Sequence, residues 1–175
     1  ATVDDVEPTW RFRQLEPVSR WLTRAISTID EHRALFGAPE SLAKTLLIER
    51  DGEVIGDLMV DVGDAWAQAE VASQAEGVEA NLGWVLHPDH TGQGYASEAV
   101  REVLRVCFEE LGVRRVRASC FLANEASWRL MERLGMRREA HNVRDSLHRS
   151  GEWLDGLTYA LLADEWSGPS TGVRP

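Results

Sequence analysis

One junction in the middle of the chain constrains the fold more than any other feature. A glycine-bearing loop, residues 87–97, follows an apolar run over residues 82–86 and precedes a helical pattern. Gly92 and Gly94 allow backbone conformations that a Cβ would disfavour, and they let a ligand come close to the main chain. The first amides of a helix lack intrahelical partners and carry a partial positive charge. The loop is therefore expected to bind a phosphate-bearing ligand.

The segment after this loop carries apolar residues at helical spacing, which predicts a helix that begins near Gly94 and buries one face. The apolar positions are Val100, Val103, Leu104, Cys107, Phe108 and Leu111. Two common phosphate-binding motifs do not fit the loop. No Gly-Lys-Ser/Thr follows, as a Walker loop requires, and Ser97 stands where a dinucleotide fingerprint has its third glycine.

The loop and the segments after it resemble the GNAT superfamily of acyl-CoA-dependent N-acyltransferases. Residues 91–96, Thr-Gly-Gln-Gly-Tyr-Ala, are similar to motif A of that family, with Thr91 in place of its first Arg or Gln. Residues 115–121 alternate like the next strand. Residues 124–136 resemble the family's Asn-x-x-Ser helix, which ends in Leu-Gly-Phe. Asn124 is a good N-cap for that helix.

Residues 137–140 and 151–162 are similar to the closing strands of the branch that acetylates the N-termini of ribosomal proteins. The resemblance covers residues 5–166. It implies an α/β (α+β) fold with a mixed, mostly antiparallel sheet, a splay between the two central strands, and flanking helices. We expect residues 1–166 to form a single domain and residues 167–175 to form a flexible tail.

The first strand of the family has no counterpart before residues 4–10. Three explanations are open at this point: the chain was trimmed, a neighbouring subunit of a homodimer supplies the strand, or residues 9–14 pair in its place. Because an exposed sheet edge invites association, we expect something to cover it.

Three further segments have predicted structures. Residues 19–35 carry apolar side chains at helical spacing after Ser19, a suitable N-cap, and predict a helix. Residues 45–60 predict two strands around an Asp-Gly turn at residues 51 and 52. Residues 64–78 predict a long excursion between strands that is either a short helix or mobile.

The resemblance implies acetyl-CoA as the cosubstrate and no metal. Main-chain groups of Trp84, Val85 and Leu86 would pair with pantetheine along the splay and leave amides near the thioester carbonyl. The pyrophosphate and pantetheine would lie against the loop residues Thr91, Gly92, Gln93, Gly94, Tyr95 and Ala96, with Asn124 and Ser127 on the far side. Positive groups near this position that could offset the cofactor's charge are His90, Arg129 and Arg133.

Acetyl transfer from a thioester to an amine needs a neutral amine, an oxyanion donor and a proton source for the departing thiolate. Ser127 is a candidate to protonate or orient that thiolate. Many relatives carry a carboxylate two residues before the strand glycine, where this chain has Asn81, which cannot accept a proton. Glu79 lies two residues further back on the same strand face and is a candidate base. His141 and His148 are alternatives.

Composition limits the functions that the chain can have. A formal net charge of −10 argues against a broad nucleic-acid surface and favours cationic substrates. No apolar run approaches the roughly 18 residues of a membrane-spanning helix, and no signal peptide is visible, so a cytoplasmic protein that binds no membrane is expected. Cys107 and Cys120 lack metal-ligand spacing and are expected to be buried thiols.

The leading hypothesis is an N-acetyltransferase that moves an acetyl group from acetyl-CoA to a primary amine, either a protein N-terminus or a small molecule. The alternative is a non-catalytic acyl-CoA-binding sensor or partner module. Asn81, Thr91 and the short N-terminal segment favour this alternative. A thiol-release assay with an amine panel distinguishes the two.

Overall fold

The computed structural model describes residues 1–168 and contains one six-stranded sheet. Its strands are β1 (Thr45–Arg50), β2 (Glu53–Gly63), β3 (Glu79–Leu86), β4 (Arg115–Phe121), β5 (Arg137–Leu147) and β6 (Trp153–Leu162). The spatial order is β1-β2-β3-β4-β6-β5, and only the β3–β4 pair is parallel. The predicted mixed, mostly antiparallel fold is confirmed. Of the predicted tail, residues 169–175 lie outside the described residues.

Helices flank this sheet. They are α1 (Val6–Arg13), α2 (Glu16–Ser19), α3 (Ile29–Phe36), α4 (Pro39–Leu42), α5 (Tyr95–Arg105) and α6 (Glu125–Arg133). A π-helical turn, Val106–Glu110, continues α5, and short 3₁₀ turns form at Val3–Asp5, Ala69–Ala75, Pro88–His90 and Ala163–Glu165. The excursion between β2 and β3 therefore contains a short helical segment.

Helix α5 buries one face, as its periodicity predicts. Val100, Leu104 and Cys107 are fully buried in the main core, between the sheet and α6. Leu111, predicted to continue the same stripe, is instead 55% exposed. The π-helical turn explains this difference, because its wider turn rotates the residues that follow away from the 3.6-residue period.

The two central strands part, as the resemblance implies. The pairing of β3 with β4 covers only residues 79–81 and 115–117. Each strand continues past this point along its other neighbour: β3 stays paired with β2 as far as Leu86, and β4 stays paired with β6 as far as Phe121. The side of β3 that faces β4 is therefore left without strand pairing from Leu82 onward.

The N-terminal segment is helical rather than extended. Residues 9–13 lie in α1 and Gln14 caps it, so the suggestion that residues 9–14 replace the missing strand is wrong. Burial of Phe12 explains the helix, because this side chain packs with Val18 and Val85 on the opposite sheet face from α5. At the outer edge of β1, the amino group of Ala1 donates to the Thr45 carbonyl at 2.8 Å.

The single helix predicted for residues 19–35 is wrong. Ser19 ends α2, and α3 begins only after Thr28, whose hydroxyl accepts from the Glu31 amide at 3.2 Å. Contacts distant in sequence hold the intervening segment open. Nε2 of His148 bonds the Arg20 carbonyl at 3.0 Å. This contact ties the Arg20 carbonyl to the turn between β5 and β6.

The hairpin prediction for β1 and β2 is confirmed. Asp51 and Gly52 both have positive φ, 52° and 81°. Positive φ at both turn residues is the geometry of the two-residue turn that matches the twist of paired strands.

Helices α1 and α3 are joined by a buried hydrogen bond. Nε2 of His32 lies 2.9 Å from the hydroxyl of Thr9, and His32 is 1% exposed. Burial, with a smaller contribution from the charge of Arg13, lowers the pKa of His32 to about 4. The folded protein therefore holds this ring neutral at pH values where the unfolded chain protonates it.

We expect stability to fall as the pH drops from 6.5 toward 4, because only the unfolded state then takes up a proton at His32. The loss attributable to this side chain is about 3 kcal/mol. Urea unfolding of the wild type and of His32→Gln at several pH values measures it. The variant should show a flatter pH dependence, and parallel curves would contradict the prediction.

Candidate active site

A cleft of about 1260 Å³ follows the gap between β3 and β4. One half lies beside the glycine loop, α5 and α6. The other half lies between β2 and the helices α1 to α4, and residues of β5 and β6 border it. The lining residues from the parted strands are 82–86 of β3 and 119–121 of β4. The cleft therefore begins where strand pairing ends.

The glycine loop has the predicted conformation. Gly92 and Gly94 have φ of 74° and 93°. Apart from each glycine and its chain neighbours, no atom of residues 1–168 lies within 4 Å of the position that a Cβ would take at either residue. Gly94 is the N-cap of α5 and has no side chain with which to cap this end of the helix. The first amides of α5 thus remain available, and the helix dipole makes this end of the cleft favourable for an anion.

Two polar side chains brace the loop through hydrogen bonds to its own backbone. The hydroxyl of Thr91 donates to the Pro88 carbonyl at 2.7 Å, and the side-chain amide of Gln93 donates to the Asp89 carbonyl at 3.1 Å. Thr91 also lines the cleft, as do Gly92, Gly94, Tyr95 and Ala96, whereas Gln93 does not. The departure from the family motif at Thr91 therefore has a structural role.

The first turn of α6 faces the parted strands. Asn124 is the N-cap of α6, but its side chain makes no capping hydrogen bond. Both Asn124 and Ser127 line the cleft. Burial raises the pKa of the nearby Cys120 thiol to about 11, against the smaller opposing effect of hydrogen bonds with Ser127 and the Trp128 amide. Cys120 is therefore a neutral thiol at physiological pH and a poor nucleophile.

The second half of the cleft contains ion pairs that the sequence analysis missed. Asp57, 1% exposed, accepts from Nε and Nη2 of Arg13 at 2.7 and 2.5 Å. Nζ of Lys44 lies 2.6 Å from Asp61. Asp57 could have been singled out from the sequence, because it is the only acid in the otherwise apolar stretch from Val54 to Val60. No sequence pattern indicates its partner Arg13, because 44 residues separate the two.

A bulge in β5 directs another acid, Asp145, toward the cleft. Asn142 pairs with Gly156 and Ser146 pairs with Leu154, so residues 143–145 oppose the single residue Asp155. Asp145 lines the cleft. A Cβ on Gly156 would lie 2.8 Å from its Oδ1, so the carboxylate packs directly against this glycine. Gly156 pairs with Phe121, the last residue of β4.

Asp155 holds the bulge in place. Its Oδ1 accepts from the Arg144 amide at 2.9 Å, and its Oδ2 lies 2.7 Å from Nε2 of His141. These two hydrogen bonds, that from the Arg144 amide being the larger cause, lower the pKa of Asp155. Arg144 has a φ of 49°, which costs roughly 1–3 kcal/mol for a residue with a side chain. The bulge is thus a strained feature fixed by specific contacts.

Glu79 and Asn81 lie at the paired end of the central strands. Glu79 forms ion pairs with Arg115 and Arg117, both at 3.3 Å, and its side chain is 19% exposed. Neither Glu79 nor Asn81 lines the cleft. Along an extended strand, Glu79 is about 16 Å from Trp84. The structure therefore brings the loop residues and Ser127 together, but not these two.

The two histidines considered as alternative bases have structural partners. Nε2 of His141 is bonded to Asp155, as described above. The ring of His148 lies 5.5 Å from that of Phe121 and 6.1 Å from that of Trp21. Neither histidine lines the cleft.

Known proteins resemble this chain in sequence. A family model described as an acetyltransferase (GNAT) domain matches residues 1–137. An uncharacterized N-acetyltransferase of Bacillus subtilis, YnaD, is 38% identical over 86 residues, 49% of this chain and 50% of that protein. YdaF of the same organism, whose name proposes a ribosomal N-acetyltransferase, is 33% identical over 90 residues, 51% of this chain and 49% of that protein.

Solved structures extend the likeness over more of the chain. A GNAT-family acetyltransferase from Bacillus anthracis superposes with a TM-score of 0.76 at 27% identity, covering 93% of this chain and 92% of that one. The sequence matches to YnaD and YdaF are shorter, and the chain spans only about half the length of these curated relatives. Within residues 1–168, no helix combines the length and apolarity needed to cross a bilayer, and no cluster of His, Cys, Asp and Glu could hold a metal ion.

We expect Gly94→Val to abolish tight CoA binding, because its side chain would fill the space beside the free amides of α5. Gly77→Val is the matched control, since Gly77 also has positive φ and open space around it but lies outside the cleft. Both variants should lose about 1–3 kcal/mol of stability from backbone strain. Calorimetric titration with CoA should show a loss above tenfold only for Gly94→Val. A folded Gly94→Val with wild-type affinity would contradict the assignment of the loop.

Proposed function

This chain belongs to the GNAT acetyltransferase family, and we propose that it transfers an acetyl group from acetyl-CoA to a primary amine bound in the same cleft. The observation that carries the proposal is the glycine loop at the mouth of a gap between two parted strands. Such a gap leaves backbone groups for an extended ligand, and the loop leaves amides for its phosphates. The acceptor is either a protein N-terminus or a small-molecule amine.

Most of the residues that would hold the cofactor are those predicted from the sequence. Main-chain groups of Trp84 and Leu86 would face the gap, whereas the Val85 carbonyl points toward Gly56 of β2. The amides of residues 92–96 would face the anion-binding end of the cleft. Asn124 and Ser127 line the opposite wall. Acetyl-CoA supplies the thioester when bound. Backbone amides at the gap are suited to stabilise negative charge that develops on its carbonyl oxygen.

Ser127 is the proposed proton donor for the departing thiolate. It lies in the first turn of α6 and lines the cleft, and it contacts the Cys120 thiol. A hydroxyl at this position would donate a hydrogen bond to the thiolate, and any proton that it transfers would be replaced by one from water in the cleft. The neutral Cys120 beside it adds no negative charge that would oppose a developing thiolate.

We assign the role of base to Asp145 rather than Glu79. The carboxylate of Asp145 lines the cleft and has Ser146 Oγ as its hydrogen-bond partner, at 2.9 Å. Glu79 is bound to two guanidinium groups at the other end of β3. An acid that receives the amine must be accessible and free of a cationic partner. Asp145 is exposed, and among the described residues it forms no ion pair. The same carboxylate would attract a protonated amine into the cleft.

Two measurements test the proposal. Acetyl-CoA should raise the melting temperature of the protein, whereas ATP and NAD should not. Thiol release should then rise above the hydrolysis background with at least one member of a panel of N-terminal peptides and small amines. Stabilisation by acetyl-CoA without release for any amine would support the alternative of an acyl-CoA-binding sensor. No stabilisation would overturn the proposal.

Asp145→Asn is expected to lower kcat by about a hundredfold near neutral pH, because an amide cannot accept the proton of the amine. The deficit should shrink as the pH rises and more of the amine is already neutral. Asp164→Asn, a change to an exposed acid away from the cleft, is the control. An unchanged kcat in Asp145→Asn would remove Asp145 from this role.

Gly156→Ala tests the position of the same carboxylate without removing it. The new Cβ would press on Oδ1 of Asp145 and displace it. Since Gly156 does not have positive φ, the backbone can accept alanine. We expect roughly a tenfold loss of kcat, or more, with little loss of stability. Full activity would show that the placement of Asp145 against this glycine is unimportant.

Glu79→Gln should leave kcat within about twofold of the wild type. It should also lower the free energy of unfolding by about 1 kcal/mol, because its ion pairs with Arg115 and Arg117 are weakened. Steady-state kinetics and urea unfolding measure the two effects. A loss of turnover above tenfold would restore Glu79 as the base.

A further inference from the structure

One arginine at the outer end of the cleft has no role in the chemistry described above. Arg133 lies in the last turn of α6 and lines the cleft together with Ser97 of α5. Its Nη2 lies 3.5 Å from the hydroxyl of Ser97. Within residues 1–168, its guanidinium group forms no ion pair with a carboxylate. It is a cationic group facing the cleft with its charge uncompensated.

The other arginine of α6 is bound differently. Arg129 forms an ion pair with Glu125 at 2.8 Å, and its guanidinium lies 5.3 Å from the ring centroid of Trp128. Arg129 does not line the cleft. Both residues are arginines of α6, but of the two only Arg133 lines the cleft.

The position of Arg133 along the cleft is informative. Residues Ser127, Leu130 and Arg133 follow one another at helical spacing and all line the cleft. Six residues of helix separate Ser127 from Arg133, which is about 9 Å along the axis. Ser127 lies at the gap between the strands, where the proposed chemistry occurs. Arg133 lies beside the first turn of α5, at the end where the phosphates of CoA would enter.

We propose that Arg133 binds the 3′-phosphate of CoA, which makes the protein prefer CoA to 3′-dephospho-CoA. This proposal rests on the placement of CoA in the proposed function. The free amides of α5 suit the diphosphate, so the phosphomonoester on the ribose requires a separate positive group. A guanidinium group matches the geometry of phosphate oxygens. In a protein with a net charge of −10, an uncompensated cation at this point also reduces the repulsion of a polyanionic ligand.

Calorimetric titration of wild type, Arg133→Gln and Arg129→Gln with CoA and with 3′-dephospho-CoA tests this proposal. Since Arg133 is exposed, the wild type should bind CoA only about fivefold more tightly than 3′-dephospho-CoA. Arg133→Gln should lose this preference by weakening the binding of CoA alone. Arg129→Gln should retain it. The preference of the wild type should also diminish at high salt.

Three outcomes would overturn the proposal. If Arg133→Gln weakens both ligands equally, the guanidinium group acts on the diphosphate instead. If it retains the wild-type preference, Arg133 makes no contact with the 3′-phosphate. Failure of the wild type to bind either ligand would overturn the proposed function as well, whereas the first two results leave that function intact. The melting temperature of each variant confirms that it is folded.

Discussion

The parting of β3 and β4 is the constraint on which the rest of the site depends. Two parallel strands that separate after three paired positions leave backbone donors and acceptors unsatisfied, which is costly unless water or a ligand reaches them. The sheet tolerates the gap because each strand has a continuous antiparallel neighbour on its other side. The cleft is therefore a gap between two strands of a sheet that is otherwise well paired.

The two ends of this gap differ in charge. At the closed end, Glu79 is held between Arg115 and Arg117, and Arg115 also pairs with Glu139, which joins three strands. At the open end, the amides of α5 and the side chain of Arg133 provide positive potential, and within residues 1–168 Arg133 forms no ion pair with a carboxylate. The closed end is thus stabilised by compensated charges, whereas the open end suits the anionic ligand that we propose for it.

The half of the cleft that we assign to the amine is assembled from segments that are far apart in the sequence. The turn between β5 and β6 contacts the segment after α2 through His148 and Arg149, which bond the carbonyls of Arg20 and Leu22. Trp21 lies against Phe121 at the end of β4. These contacts fix the irregular segment over the gap. They also bring the bulge that carries Asp145 to the cleft in which Arg13 of α1 binds Asp57.

Local patterns in the sequence determined the glycine loop, α5, the β1–β2 hairpin and the position at which α6 begins, because each depends on residues within a few positions of one another. The resemblance added the parted strands and named residues that line the proposed cofactor half of the cleft, apart from Gln93. Prediction failed where distant contacts override local spacing. Residues 19–35 have helical spacing, but the segment after Ser19 bonds the β5–β6 turn instead. Leu111 has the expected period, but a π-helical turn shifts it outward.

Only the tertiary structure decided which acid faces the cleft. Glu79 has the strand position expected of a base, yet its ion pairs with Arg115 and Arg117 depend on the register between β3 and β4. Asp145 has no distinctive spacing, and it reaches the cleft only because β5 gains two residues relative to β6. Sequence alone thus determined the glycine turn that we propose as the phosphate site, since backbone amides at such a turn are a local property. The placement of Asp145 depends on strand register and a bulge, which form only when distant segments pair.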